Sequence, residues 1–198
     1  MRNFQEAVLN RRTNYALNDD VSIAPDRIIE MVESMTQAAP SAFNMQSSRV
    51  VVLFGEQHEK LWHIVKKTLR KVVAPETFLL TEEKVDGFAK AYGTMLYFDD
   101  MSVVDEMAKK YPLYRENFPV WAQQANGMVQ FAIWTALADY GLGANLQHYN
   151  PLIDTEVKSS FGLPSKWSLV AQMPFGSPAA MPVPIEKIPA AQRVKSFG

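Results

Sequence analysis

The chain has 198 residues, of which 47% are hydrophobic and 21% charged, the balance of a single globular domain spanning 1–198. It contains no cysteine, which excludes disulfides, thiolate nucleophiles, Cys-ligated zinc and protein-held iron–sulfur clusters. Twenty Lys+Arg against 21 Asp+Glu leave a net charge of -1, so no global field draws nucleic acid or an anionic membrane, and any phosphate must be met by local charges.

The first residues, MRNFQEAVLNRR, lack the apolar core of a signal peptide, and the expected location is the cytoplasm. Residues 4–11 read as a helix that ends at the polar run Thr13 to Asp20. Pro25 suits a first helical turn, and Ile28, Val32, Met35 and Ala39 then give one apolar face up to Pro40. Arg49 to Phe54 is a β-branched run too apolar for an exposed edge, so it belongs inside a sheet. Helical spacing returns from Glu56 to Val73, with Lys66, Lys67, Arg70 and Lys71 forming a basic face read as solvated surface. Thr81 is placed as the cap of a helix carrying Glu82 and Glu83 in its first turn. Thr94 to Phe98 reads as a second strand and Ser102 to Lys110 as a helix. Asn150-Pro151 suggests an N-cap followed by proline at the first helical position, with Gly162 as the stop. Ser168 to Met173 completes the strands, and a proline-rich tail follows. Helices outnumber strands and surround a small sheet, an α+β pattern.

Pro119 to Tyr140 is apolar around almost its whole circumference, through Met128, Val129, Phe131, Ile133, Trp134 and Leu137. Such a helix must be buried nearly all round, which in a short chain is easier if a second subunit covers part of it. Gln130, Asp139, Gly141 and Gly143 argue against a membrane span there. The proline-rich tail is either a loose terminus or an ordered arm crossing another surface, since proline lowers the entropy lost on fixing an extended segment.

Chemistry is harder to place. His58, His63 and His148 show no metal-ligand spacing, and there is no nucleophile elbow. The acid pairs Asp19-Asp20 and Asp99-Asp100 read as caps and solvated turns. Gly141-Leu142-Gly143 follows a helix instead of a strand, so it is a helix stop and tight turn, not a dinucleotide fingerprint. Two cation clusters remain, Arg11-Arg12-Thr13 and Arg193 with Lys195; either is surface, or a grip on phosphate oxygens. The loop Pro40 to Gln46 is a helix–strand connection whose short polar side chains can also satisfy the amide edge of a planar ring. The run Tyr111, Tyr114, Phe118 and Trp121 either packs helices together or covers a pocket and stacks on a planar substrate.

In this order, Arg11-Arg12-Thr13, Pro40 to Gln46, the helix running into Gly141-Leu142-Gly143 and the basic C-terminus resemble the nitroreductase family of flavin enzymes. Leu146 to Pro151 is similar to a short subgroup, that of the yeast fatty-acid-repression proteins and bacterial copper- or stress-induced nitroreductases. The resemblance implies a small, mostly antiparallel central sheet surrounded by helices, in an intertwined homodimer holding two FMN molecules at its interface. It places Arg11, Arg193 and Lys195 on the FMN phosphate, and Arg12 and Thr13 beside the ribityl chain and pyrimidine end. Ser41, Ala42, Asn44 and Gln46 would line the flavin mostly from the partner subunit, with Gln147, His148 and Tyr149 along the other side of the ring. Ser47-Ser48 stands where relatives often have Pro-Trp, and His148-Tyr149 where the larger enzymes often have Glu-Gly. The expected activity is NADH- or NADPH-dependent reduction of a small planar nitroaromatic or quinone acceptor by alternating half-reactions, with a role in stress defence. The alternative is a flavin-binding stress or lipid-signalling protein with little turnover.

Overall fold

The computed structural model describes residues 3–198. Helix α1 (Phe4–Asn10) opens with a reciprocal cap, in which the Asn3 side chain accepts from the Glu6 amide and the Glu6 side chain accepts from the Asn3 amide. The two-residue strand β1 (Leu17–Asn18) follows, then α2 (Pro25–Ala38) with its proline in the first turn. Next come β2 (Ser48–Phe54), α3 (Gly55–Leu69), α4 (Pro75–Ala89), β3 (Gly93–Asp100) and α5 (Met101–Lys110). The long helix α6 (Phe118–Asp139), the short β4 (Gly143–Ala144), α7 (Asp154–Ser160) and β5 (Trp167–Pro178) complete the order.

The strands form one antiparallel sheet in the order β1-β5-β3-β2, with β4 also beside β5. Helices cover both faces, which is why β3 is almost entirely buried and reads as a continuous apolar run. Strand periodicity divides its side chains: Leu96 and Phe98 pack with Leu61, Trp62 and Phe88 of α3 and α4, while Met95 and Tyr97 pack with Ile28, Ile133 and Leu137 of α2 and α6. A third, smaller core joins Met45 to Val104, Phe118 and Ala122. No helix among the described residues is long and apolar enough to cross a membrane.

Several expectations change. Thr81 lies inside α4, because Pro75 starts that helix six residues earlier. Asn150-Pro151 does not cap α7: the bond is a cis peptide, and a turn closed by the Asp154 amide on the Pro151 carbonyl delays the helix to Asp154. Gly162 does stop α7, at φ +62. The last strand does not end at Met173 but runs on to Pro178. Pro174 has no N–H to give, yet its carbonyl accepts from the Asn145 amide at 3.2 Å, so the ladder continues past it. The basic face of α3 is not merely solvated: Lys66 pairs with Asp86, Arg70 with Glu82 at 2.8 Å, and Lys67 with Glu156 at 3.1 Å, clipping α3 to α4 and α7. Helix α6 is buried on one side only as far as Phe131, with Val120, Met128 and Phe131 each about half exposed, whereas from Ala132 to Asp139 no residue is exposed, as its apolar circumference predicts.

Gly93, Gly143 and Gly176 are required by close approach, a Cβ on Gly93 standing 2.7 Å from the Leu53 carbonyl. A Cβ on Gly143 would stand 2.9 Å from the Asn14 Cβ and from Leu17, and one on Gly176 would run into the Asn18 carbonyl. Gly176→Ala is expected to lower unfolding free energy by about 1–3 kcal/mol in denaturant titration, because backbone is the obstacle and β1 must move away.

Candidate active site

The candidate residues occupy three places. Arg11 caps the C-terminus of α1, its amide bonded to the Ala7 carbonyl, and its guanidinium lies 4.4 Å over the Trp134 ring. Partial burial, with Arg12 beside it, lowers its pKa from the ordinary arginine value. Arg12 donates to the Val183 carbonyl at 2.8 Å, tying the start of the chain to the tail. Thr13 forms a parallel bridge with Ala144. Together with residues 14–16, 180–183 and 185, these three line a cavity of about 420 Å³.

From that bridge a line of buried amides leads inward. Asn14 donates its backbone N–H to the Ala144 carbonyl at 3.0 Å and accepts, through its own carbonyl, from the Asn145 side chain at 2.8 Å. Gln147 donates to the Asn145 side chain at 2.8 Å and exchanges both backbone bonds with Gln172, at 2.7 and 2.9 Å. The Gln172 side chain accepts from the Tyr149 amide at 2.8 Å. His148, between them, points to solvent. Tyr149 sets its ring edge against Trp62, and burial pushes its phenol up to about 12. Asn14, Asn145 and Gln172 were not among the predicted residues. For Gln172 the signal is an isolated amide in the apolar run Ser168 to Met173, whereas Asn14 stands in a polar run and gives none.

The second place is the loop after α2. Ser41 holds it from inside: its hydroxyl accepts from the Gln46 amide at 3.0 Å and its carbonyl from the Asn44 amide at 2.9 Å, while Ala42 accepts from the Met45 amide. Phe43, Asn44 and Gln46 all have left-handed φ, between 50° and 54°. For residues other than glycine that conformation costs of order 1–3 kcal/mol each, and such strain gathers at functional sites. Ser41 and Gln46 line a separate cavity of about 370 Å³ against α2, β2 and α6. The Phe43 ring collects the predicted aromatic run around itself, with Tyr111 at 4.7 Å, Phe118 at 5.5 Å, Tyr114 at 5.7 Å and Trp121 at 5.9 Å. Phe118 is fully buried and serves packing, whereas Phe43 and Tyr114 keep 48% and 45% of their surface exposed.

Arg193 and Lys195, the third group, lie exposed on the tail after a short 3-10 turn, Ala190–Gln192. The structure thus joins Arg11, Arg12 and Thr13 to the Gln147–Tyr149 segment through the Thr13–Ala144 bridge, and gives the Ser41–Gln46 loop a cavity of its own.

One acid pair also differs from its reading. Asp100 does cap α5, accepting from the Ser102 amide at 3.0 Å, but Asp99 is buried. Asp99 accepts from Asn126 at 3.2 Å and from the Ser47 hydroxyl at 3.3 Å, and Gln130 in turn donates to Asn126 at 2.8 Å. Burial raises its pKa, with the hydrogen bonds from Asn126 and Ser47 opposing.

A sheet flanked on both faces by helices, with clustered arginines at one end of a buried amide line, defines an α+β protein with a place for an anionic ligand. Residues 8–177 match the model of the Nitroreductase family, and the chain belongs to that family of flavin-dependent oxidoreductases. It is 39% identical to the nitroreductase CinD of Lactococcus lactis solved with chloramphenicol, at a TM-score of 0.91 over 98% of this chain and 100% of that one. CinD has also been solved with 4-nitrophenol, at 40% identity and a TM-score of 0.90 over the same shares. The nitroreductase-like protein HBN1 of Saccharomyces cerevisiae is 34% identical over 174 residues, 87% of this chain and 86% of HBN1. A nitroreductase-like protein of Desulfovibrio desulfuricans solved with FMN shares the fold, at 19% identity and a TM-score of 0.69 over 100% of this chain and 98% of that one. The donor set here fits such a group: the Arg11 guanidinium suits a phosphate monoester, and the Arg12 guanidinium and Thr13 hydroxyl on the next two residues suit the polar chain attached to it.

A carboxyl whose pKa is raised on folding contributes stability that is complete below the unfolded value and is lost as pH climbs through the folded one. Asp99→Asn keeps an acceptor oxygen for Asn126 and Ser47 but carries no charge. Its unfolding free energy is expected to gain on the wild type as pH rises from about 4 to about 8, measured by urea titration across that range.

Proposed function

We propose that this chain is an FMN-dependent oxidoreductase that carries electrons from NADH or NADPH to small planar nitroaromatic or quinone acceptors by alternating half-reactions. It works as a homodimer with two shared sites, in the cytoplasm and in stress defence. The observation that carries the reading is the Thr13–Ala144 bridge. It sets two guanidiniums and a hydroxyl at one end of the segment that passes through Asn145 and Gln147 to Tyr149. A ligand with a phosphate at one end and a flat polar ring at the other calls for that order of groups. The small aromatic molecules bound to CinD support the acceptor class.

When bound, FMN supplies the hydride and electron transfer, and the protein supplies position and electrostatics. Arg11, Arg193 and Lys195 neutralise the phosphate. Arg11 is already partly desolvated on Trp134 and so loses less hydration on binding. Arg12 and Thr13 hold the polar chain next to it, and the Gln147, His148 and Tyr149 backbone runs beside the ring. Ser41, Ala42, Asn44 and Gln46 serve the site of the partner subunit, which is consistent with their cavity lying apart from that of Arg11. The half-exposed Val120, Met128 and Phe131 of α6 and the exposed Met181, Val183, Ile185 and Ile188 of the tail support the dimer. Each large side chain buried there would contribute about 1.5–3 kcal/mol.

Purified protein is expected to be yellow, to sediment as two chains at micromolar concentration, and to lose its flavin absorbance under anaerobic NADH or NADPH; a bound flavin that neither donor reduces would favour the regulatory alternative. Replacing Arg11 and Arg193 together by alanine is expected to weaken FMN binding roughly 100-fold while leaving the melting temperature of the flavin-free protein nearly unchanged. Unaltered affinity in a fluorescence titration would refute the phosphate assignment.

A further inference from the structure

We propose that Arg49 is a positioning residue: bonded at once to the Gln46 carbonyl and to Asp100, it holds the left-handed loop Ser41–Gln46 in shape and ties it to the aromatic arm formed by α5 and residues 111–117. The identity of the ligand this loop faces rests on the flavin reading above, whereas the latch itself rests on the loop geometry.

Arg49 is the second residue of β2, and its guanidinium turns back to the end of the loop before the strand. Nη1 donates to the Gln46 carbonyl at 2.7 Å and to the Ser48 carbonyl at 3.1 Å, and Nη2 donates to the Asp100 carboxylate at 3.1 Å. The pair is largely shielded from water, with side-chain exposures of 31% and 16%, so it is screened less than a surface ion pair. Gln46 is one of the three left-handed residues and so sits where an unaided backbone would relax. The backbone amides inside the loop return to its start, Asn44 and Gln46 donating to Ser41 and Met45 to Ala42, and the Gln46 side chain adds only a long bond to the Asn44 carbonyl at 3.4 Å. Arg49 fastens the other end.

Asp100 makes the fastening a link. Its backbone N–H donates to the Ser47 carbonyl at 2.9 Å, and its second carboxylate oxygen caps α5 through the Ser102 amide. Helix α5 leads to Tyr111 and Tyr114, whose rings rest on Phe43 at the tip of the same loop. The contacts close a circuit from the loop through Arg49, Asp100, α5 and Tyr111 back to Phe43. The polar residues Asn44 and Gln46 and the exposed rings of Phe43 and Tyr114 are therefore held as one piece. Lysine cannot substitute, because a single ammonium lacks the planar fork that serves a carbonyl and a carboxylate together.

The test follows backbone amide hydrogen exchange in the flavin-free full chain, alongside FMN titration, for Arg49→Gln, Asp100→Asn and the double variant. Asp100→Asn retains a capping oxygen for Ser102 and loses only the charged partner of Arg49. The latch predicts that exchange at Asn44, Met45 and Gln46 quickens about tenfold or more in either variant while β3 and β5 keep their protection, and that the double variant adds little to Arg49→Gln. FMN affinity is expected to fall about tenfold in step, with an altered visible band shape of the bound flavin. If Arg49→Gln does not fold, Arg49→Lys gives the same exchange reading. Unchanged exchange at the three amides would overturn the proposal, and so would weakened FMN binding without faster exchange, which would make Arg49 a ligand contact. A wild-type chain that never takes up FMN would remove the flavin reading and leave the exchange result to decide the latch.

Discussion

Strand β5 pairs with β3 along one edge and with β1, β4 and Gln147 along the other, and it is buried on both faces for most of its length. The helices find their cores against it and β3, with α3, α4 and α7 on one face and α2 and α6 on the other. The candidate site hangs from the same strand. Gln172 grips Gln147 and Tyr149, the Pro174 carbonyl holds Asn145, and Gly176 lets β1 come close. A strand covered on both sides cannot shift register without turning every core side chain the wrong way, so the groups fastened to it are held as firmly as the core.

Two chains of buried polar side chains run through the interior. Asn14, Asn145, Gln147 and Gln172 form one buried chain, and Ser47, Asp99, Asn126 and Gln130 another. Neutral amides predominate because a buried amide with its partners costs little, whereas a buried charge is expensive; the one carboxyl among them, Asp99, has its ionised form disfavoured by burial. The charged groups proposed for ligand binding, Arg11, Arg12, Arg193 and Lys195, lie instead at partly or wholly exposed positions. That division separates what maintains the fold from what awaits a ligand.

The strained loop lies where these systems meet. Its left-handed residues are held from within by Ser41 and from the side by Arg49, which Asp100 holds in turn. Phe43 at its tip gathers rings from α6 and the arm before it. Much apolar surface outside this cluster stays uncovered in the single chain, along α6 and the tail, and it accounts for the proposal that two copies share the work.

The helices and strands were legible in the residues to within a few positions wherever periodicity was strong, as in α2, β2, β3 and α6, because a repeating apolar face is a local property of the chain. So was the stop at Gly141, which needs only a left-handed residue after a helix. The order of Arg11-Arg12-Thr13, the Ser41–Gln46 loop and the helix before Gly143 also carried the family resemblance without any coordinates. Tertiary structure alone decided the rest. The sequence could not show that Asp99 is buried while Asp100 is a cap, because the difference lies in Asn126 and Ser47, distant in the chain. Nor could it show that β5 continues through Pro174, because Asn145 sustains the ladder there. The importance of Asn14, Gln172 and Arg49 was hidden for the same reason: hydrogen bonds and ion pairs join groups far apart in sequence, and only the folded chain says which amide or arginine has a partner.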